Sequence, residues 1–274
     1  MAFDRGTIRS ASVYDGTGEP HFLSDVVIGE VRILEIVGPG RGAGRTLTDA
    51  SGLALSPGFI DLHSHSDMAV AHPAAAEILE PFLAQGITTQ VVGNCGLGVA
   101  PAPAGRRDSL EGFMALILTP GARIEWEDFA GYLRHVDSLG PPLNVVALAA
   151  HGALRNAVVG SDPGAARGAE LDAMRAELER CLEAGAFGLS AGLIYPPGMW
   201  SDTDELVALA EPVARTDGLF ACHVRGSSEL AVEATGELIA VAERTGVRVQ
   251  HSHHEAFGPG FWHLARETMA LERQ

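Results

Sequence analysis

The rhythm of apolar and polar positions changes near residue 56. Before it, short β-rich runs alternate with turn residues: 7–14, then the turn Asp15-Gly16-Thr17-Gly18, then 25–28 and 31–37, followed by a flexible loop over 38–44. This pattern predicts a small β unit over residues 1–55, a β-sandwich part too short to hold a core of its own. From 56 to 274, apolar strand runs alternate with helical periodicity. Strands are expected at 59–65, 87–92, 144–150, 186–190, 219–224 and 247–252, with a longer insertion between the second and third. Ile78, Leu79, Phe82 and Leu83 share one face of a helix ending at Gly86. Leu171, Met174, Leu178 and Leu182 share a face of another, closed by Gly185. Further helices are expected from Ser201-Asp202, where either residue could cap, over 228–244, and over 261–274, where Leu264, Met269 and Leu271 recur.

Strand and helix in alternation imply an α/β fold with a parallel sheet and right-handed crossovers. Each expected strand carries polar or reactive residues at its carboxyl end, which favours a (β/α)8 TIM-type barrel. A doubly wound sheet is the runner-up, although no glycine-rich phosphate fingerprint follows the first strand. Six strands are two short of eight, and the last helix stops on Glu272-Arg273-Gln274 without a capping signal. The expectation is an incomplete barrel in a C-terminally truncated chain, because open edges and an open core face are costly.

Composition narrows the class. At 274 residues and 46% hydrophobic, the chain is long enough for a barrel plus a small satellite. A formal charge of -16 with no basic stripe excludes nucleic acid as a partner. No apolar run reaches bilayer length, and Met1-Ala2-Phe3-Asp4-Arg5 lacks a signal-peptide pattern, so no membrane partner is expected. Cys95, Cys181 and Cys222 are an odd, sparse set that points to a reducing compartment, and the cytoplasm is the expected location.

The chemistry gathers at strand ends. His63 and His65 stand two residues apart, so on a strand both imidazoles share one face. Cys95 follows the second strand in Gly93-Asn94-Cys95-Gly96, while Cys181 reads as helix packing. Cys222 precedes His223 and so points to the opposite face of its strand, towards the outer helices. His223 ends the fifth strand. In His251-Ser252-His253-His254, alternation puts His251 and His253 on one face, and proximity to the strand end favours His253. His151 also follows a strand and could line a pocket; Asp67 reads as a loop residue. Imidazole and thiolate are the ligands zinc prefers, with iron or manganese less suited to the thiolate.

With these residues assembled, the chain resembles the amidohydrolase superfamily and, within it, the D-aminoacylases (N-acyl-D-amino-acid deacylases). The match rests on Pro57-Gly58-Phe59-Ile60-Asp61 with His63 and His65, on Gly93-Asn94-Cys95-Gly96, on residues 188–198 ending in Tyr195-Pro196-Pro197-Gly198, and on His223-Val224-Arg225 and Ser252-His253-His254. The resemblance implies bound zinc and hydrolysis of a linear amide, with a small N-acyl amino acid as substrate. It implies that Cys95, His223 and His253 hold the tighter zinc and that His63 and His65 form a weaker second position. It makes Tyr195 and Arg225 candidates for the substrate's carboxylate and surroundings, and Asn94 a residue that orients the cysteine loop.

Two departures stand out. Glu255 occupies a position where the subgroup has a lysine, which reverses a charge near the pocket. The subgroup's proton-handling aspartate, at the end of an eighth strand, has no counterpart, so no catalytic residue is assigned. Two alternatives remain: a cyclic amidohydrolase of the hydantoinase or dihydroorotase kind, which would need a bridging lysine that no suitable strand offers, and a catalytically silent zinc-binding chain. The silent chain would be a homo-oligomer or require a complementing chain.

Overall fold

The N-terminal β-rich run folds as a sheet of its own. The structure is a computed structural model and describes residues 6–115, 117–160 and 162–273; Gln274, the last residue of the expected final helix, lies outside these. The chain divides into two compact units, 1–59 and 60–274. In the first, β1 (Gly6–Val13), β2 (Phe22–Ile28), β3 (Ile33–Val37) and β4 (Arg45–Asp49) lie in the order β3-β2-β1-β4, with β5 (Ala54–Leu55) also paired to β1. Ala11, Val13, Val26 and Ala50 make a small buried cluster. The apolar pattern does not reveal β4, because Arg45, Thr46, Thr48 and Asp49 are exposed on an edge strand. Asp25 pins the sheet by accepting from the backbone N–H of Ser10 and of Gly42, each at 2.9 Å.

The second unit is built on strands followed by helices. They run β6 (Phe59–Asp61), α1 (Asp67–Val70), α2 (Ala75–Leu83), β7 (Ile87–Val92), α3 (Arg107–Phe113), α4 (Phe129–Leu139), β8 (Asn144–Ala147) and β9 (Ala149–Ala150). The series continues with α5 (His151–Val158), α6 (Ala169–Ala184), β10 (Gly188–Gly192), α7 (Thr203–Arg215), β11 (Leu219–His223), α8 (Ala231–Thr245), β12 (Arg248–His251) and α9 (Leu264–Glu272). One sheet runs β6-β7-β8 and the next β9-β10-β11-β12, so strands follow one another in chain order. The pairs from β7–β8 and from β9 to β12 are parallel. This is the incomplete, barrel-type α/β arrangement that alternation implies.

Several boundaries differ from the apolar pattern. The expected strand 144–150 is interrupted at Leu148, whose N–H donates to Val92 O at 3.0 Å; β8 and β9 thereby fall in different sheets. The insertion before it contains α3 and α4. The expected strand 59–65 stops at Asp61, and Asp67 is no loop residue but the buried first residue of α1. Helix α7 starts where its chemistry is best: Asp202 is the N-cap, its carboxylate accepting from Glu205 N–H at 3.0 Å. Helix α6 buries Met174, Leu178 and Cys181 along one stripe and ends at Gly185, whose φ of 113° a side chain would resist. Phe220 and Leu189 are fully buried under these helices in the unit's main core.

Candidate metal centre

Four chain segments meet at the carboxyl ends of β6, β7, β11 and β12. The segment after β6 continues along β7 for one more bond, Ser64 N–H donating to Val91 O at 3.0 Å. Beyond β7 the chain turns sharply through Gly93 (φ 80°), Cys95 (φ 56°) and Gly96 (φ 65°). A Cβ on Gly93 would stand 2.3 Å from Leu148 O, and one on Gly96 would stand 2.7 Å from Gly192 N, so only glycine fits either place. Cys95 has a side chain in this left-handed region, which costs on the order of 1 kcal/mol. Four hydrogen bonds hold it there. Tyr195 Oη donates to Cys95 O at 2.7 Å, Asn94 Nδ2 donates to Val91 O at 2.8 Å, Gly96 N–H donates to Ser190 Oγ at 2.9 Å, and Ser190 Oγ donates to Gly93 O.

The result is a tight triangle. Cys95 Sγ lies 3.2 Å from His63 Nε2 and 3.3 Å from His253 Nε2, and the two imidazole nitrogens are 3.0 Å apart. His65 packs edge-on to His63 with ring centroids 5.3 Å apart, and His223 packs edge-on to His253 at 4.6 Å. His223, His253 and Glu255 form a second group whose ligand atoms lie within 4.8 Å of one another. All five sequence-predicted metal ligands therefore gather in one place. Within this gathering His63 stands with Cys95 and His253, while His223 shares His253 with Glu255. Strand alternation misplaces the last cluster. His253 and His254 both have positive φ, 68° and 42°, so the chain twists past β12 and sends His253 to Cys95 while His251 turns to Glu272.

Electrostatics prepare the imidazoles as ligands, whereas the thiol needs a cation to lose its proton. Burial, reinforced by the neighbouring imidazole His253, pushes His63 and His223 down to about 4, so both are neutral near pH 7. Burial pushes the Cys95 thiol up to about 11 and the Asp67 carboxyl up to about 7. His63 Nδ1, His65 Nδ1 and both nitrogens of His223 are buried without a hydrogen-bond partner among the described residues. Buried imidazole nitrogens without a partner are costly, and at His223 a cation could take the lone pair that no group of the chain answers. The donor set of one cysteine and several neutral histidines suits zinc.

The remaining candidates have other duties. Tyr195 and Asn94 brace the cysteine loop, as above. Arg225 is committed to Glu237 through two bonds of 3.0 and 3.1 Å and to the carbonyls of Met199 and Ser201 at 2.9 Å each, which anchors the segment after β10 rather than leaving a free guanidinium. His151 does not line an open pocket. It starts α5, fully buried, with Nε2 2.8 Å from Glu205 Oε1. Cys181 and Cys222 are buried in the main core. Sequence reasoning misses Ser190 as the brace beneath the cysteine turn and Glu205 as the buried partner of His151 and Arg155. Glu205 sits three residues after an N-cap, where a glutamate signals a capping box, yet its carboxylate turns inward.

A parallel strand–helix sheet with thiol and imidazoles converging at its strand ends defines a metal-binding barrel protein. The chain belongs to the Amidohydrolase family, whose pattern matches residues 46–257. It is 37% identical over 266 residues to an N-acyl-D-aspartate deacylase of Alcaligenes xylosoxydans xylosoxydans, covering 96% of this chain and 52% of that protein. A D-aminoacylase of the same organism is 32% identical over 265 residues, covering 96% of this chain and 53% of that protein. The crystal structure of the N-acyl-D-glutamate deacylase of Bordetella bronchiseptica, complexed with zinc and a phosphonate inhibitor that mimics the reaction's tetrahedral intermediate, superposes with a TM-score of 0.88 at 35% identity, covering 100% of this chain and 56% of that one. The chain thus spans about half the length of the relatives it matches.

Proposed function

We propose that this chain carries the zinc-binding centre of an N-acyl-D-amino-acid deacylase, a hydrolase of linear amides that releases a D-amino acid and a carboxylate. The observation that carries this reading is the triangle of Cys95 Sγ, His63 Nε2 and His253 Nε2, with sides of 3.0 to 3.3 Å. His63, Cys95 and His253 would hold one zinc, and His65, His223 and Glu255 surround it. Zinc supplies a Lewis acid that polarises the scissile carbonyl. The chain's own residues do the rest of the preparation. Burial keeps His63 and His223 neutral and ready to donate lone pairs, and the turn braced by Tyr195 and Ser190 fixes the sulfur. Glu255 stands beside the centre, its Oε1 3.8 Å from His253 Nδ1 and within 3.3 Å of the Ser227 hydroxyl that donates to it. Its negative charge disfavours a substrate carboxylate at that point, so acidic D-amino acids are expected to be poorer substrates than neutral ones.

A cyclic amidohydrolase that bridges two metals with a modified lysine has no support here, because the chain contains no lysine. The silent reading, a zinc-binding chain completed by a second copy or by another polypeptide, draws on one observation: β12 has a single strand neighbour, β11, among the described residues. Two measurements on zinc-loaded protein decide. N-acetyl-D-methionine is expected to be hydrolysed in preference to its L-enantiomer, and a phosphonate mimic of the D-substrate to bind only when zinc is present. Neither should survive Cys95→Ser. Zinc-dependent phosphonate binding without turnover favours the silent reading, and turnover unchanged in Cys95→Ser rules out the proposed centre.

A further inference from the structure

A second set of metal-capable groups lies past the same strand and shares no ligand with the first. His251, the last residue of β12, directs Nδ1 to Glu272 Oε1 at 2.6 Å. His254 directs Nε2 to Glu272 Oε2 at 3.4 Å. The two rings meet edge-on with centroids 4.9 Å apart. Two features place them. The consecutive positive φ values of His253 and His254 split the histidine run, His253 going to Cys95 and His254 to the side of His251. Helix α9 brings Glu272 to them, with the buried Thr268 one turn earlier; its Oγ1 is 3.2 Å from His254 Nε2. The Thr268 proton faces its own helix carbonyls, Leu264 O and Ala265 O.

We infer that His251, His254 and Glu272 form a second divalent-cation site, suited to zinc or a neighbouring first-row transition ion. Two imidazoles and a carboxylate are a ligand set that zinc accepts, leaving a fourth position for water. Ligands held 2.0–2.1 Å from a tetrahedral ion stand about 3.3 Å apart. The 3.4 Å between His254 Nε2 and Glu272 Oε2 already has this value, and with one ligand atom from each residue the three lie within 4.8 Å of one another, so small side-chain rotations bring them to it. Three lone-pair donors whose ligand atoms lie within 4.8 Å repel one another unless a proton or a cation sits among them. The side chains are partly exposed, 11% for His251, 25% for His254 and 31% for Glu272, so an ion can enter from solvent. Bound there, it would clasp α9 to the end of β12. This site does not depend on the deacylase reading, since none of its ligands belongs to the cysteine centre.

The test is a zinc count on the metal-free whole chain by equilibrium dialysis, with Glu272→Gln and His254→Ala beside the wild type. Each variant is expected to bind one zinc fewer than wild type at the same free zinc. The near-ultraviolet thiolate-to-cobalt band of the Cys95 centre should remain intact in both, which separates loss of this site from failure of the first. Equal zinc counts in wild type and in both variants, with folded circular-dichroism spectra, overturn the inference and leave the glutamate as a proton-mediated clasp. Should the variants not fold, diethyl pyrocarbonate labelling of the wild-type chain, mapped residue by residue, decides. Zinc that protects both His251 and His254 supports the site, and labelling unchanged by zinc overturns it.

Discussion

Two polar clusters in the strand–helix unit, one fully buried and one partly exposed, meet opposite ends. Around Glu205 the chain answers its own charge: His151 Nε2 lies at 2.8 Å, Arg155 Nη1 donates to both carboxylate oxygens at 2.7 Å, and Ala166 N–H donates at 2.6 Å. Burial pushes the Glu205 carboxyl up, but His151 and Arg155 outweigh it and hold the group below its ordinary value. Among the described residues only His151 Nδ1 and Arg155 Nε are left without a partner there. Around Cys95 the reverse holds. Two imidazoles, His63 and His253, meet one thiol, His65 and His223 stand against those two rings, and among the described residues no carboxylate bonds to the thiol and His223 has neither nitrogen answered. A closed cluster holds the fold together, whereas an open one of soft donors is built for something added. That difference separates the structural histidine His151 from the histidines proposed as ligands.

The largest effect should come from breaking the closed cluster. Glu205→Gln leaves Arg155 buried without its counter-charge, and loss of one partner of a buried pair costs about 3–5 kcal/mol. Urea unfolding should show that loss, while the folded fraction binds zinc at the cysteine centre as before. If zinc affinity fell in step with stability, the two clusters would not be separable. The open cluster should respond the other way. Cys95→Ser is expected to weaken zinc binding by at least the roughly 100-fold that removal of even an outer partner can cost, and to change metal-free stability by about 1 kcal/mol or less. Calorimetry and unfolding on the same variant check both halves.

The sequence pattern made one of these clusters legible and hid the other. His63, Cys95, His223 and His253 stand at strand ends, where period-two and period-3.6 patterns place them with few alternatives. The alternation of strands and helices likewise survives folding, because strands such as β10 and β11 bury apolar residues, Leu189 and Phe220, under the helices. Glu205 was hidden because a glutamate after Asp202 is fully explained as helix capping. His251 was misassigned because alternation assumes extended backbone, and positive φ at His253 reverses the face. Strand β4 was hidden because an exposed edge strand needs no apolar signature.

A smaller effect should sharpen the comparison. Tyr195→Phe removes the bond to the Cys95 carbonyl, worth about 0.5–1.5 kcal/mol. It is expected to lower zinc affinity on the order of 10-fold, because the strained turn relaxes. Affinity unchanged by this variant would mean the turn needs no brace. The smallest effect concerns protons. Folding holds His63 at about 4 against an ordinary 6.5, so the unfolded chain binds more protons between those values. Metal-free stability should therefore be complete above pH 6.5 and fall as pH drops towards 4, and His63→Gln should flatten that slope. A wild-type slope no steeper than that of the variant would count against buried, neutral imidazoles.

The central claim is that a cysteine thiolate and histidines of this chain hold zinc together. X-ray absorption at the zinc edge of chain loaded with one equivalent tests it most directly. One sulfur at about 2.3 Å with nitrogens at about 2.0–2.1 Å is the predicted first shell, and the sulfur should vanish in Cys95→Ser. A shell of nitrogen and oxygen alone in the wild-type chain would contradict the claim.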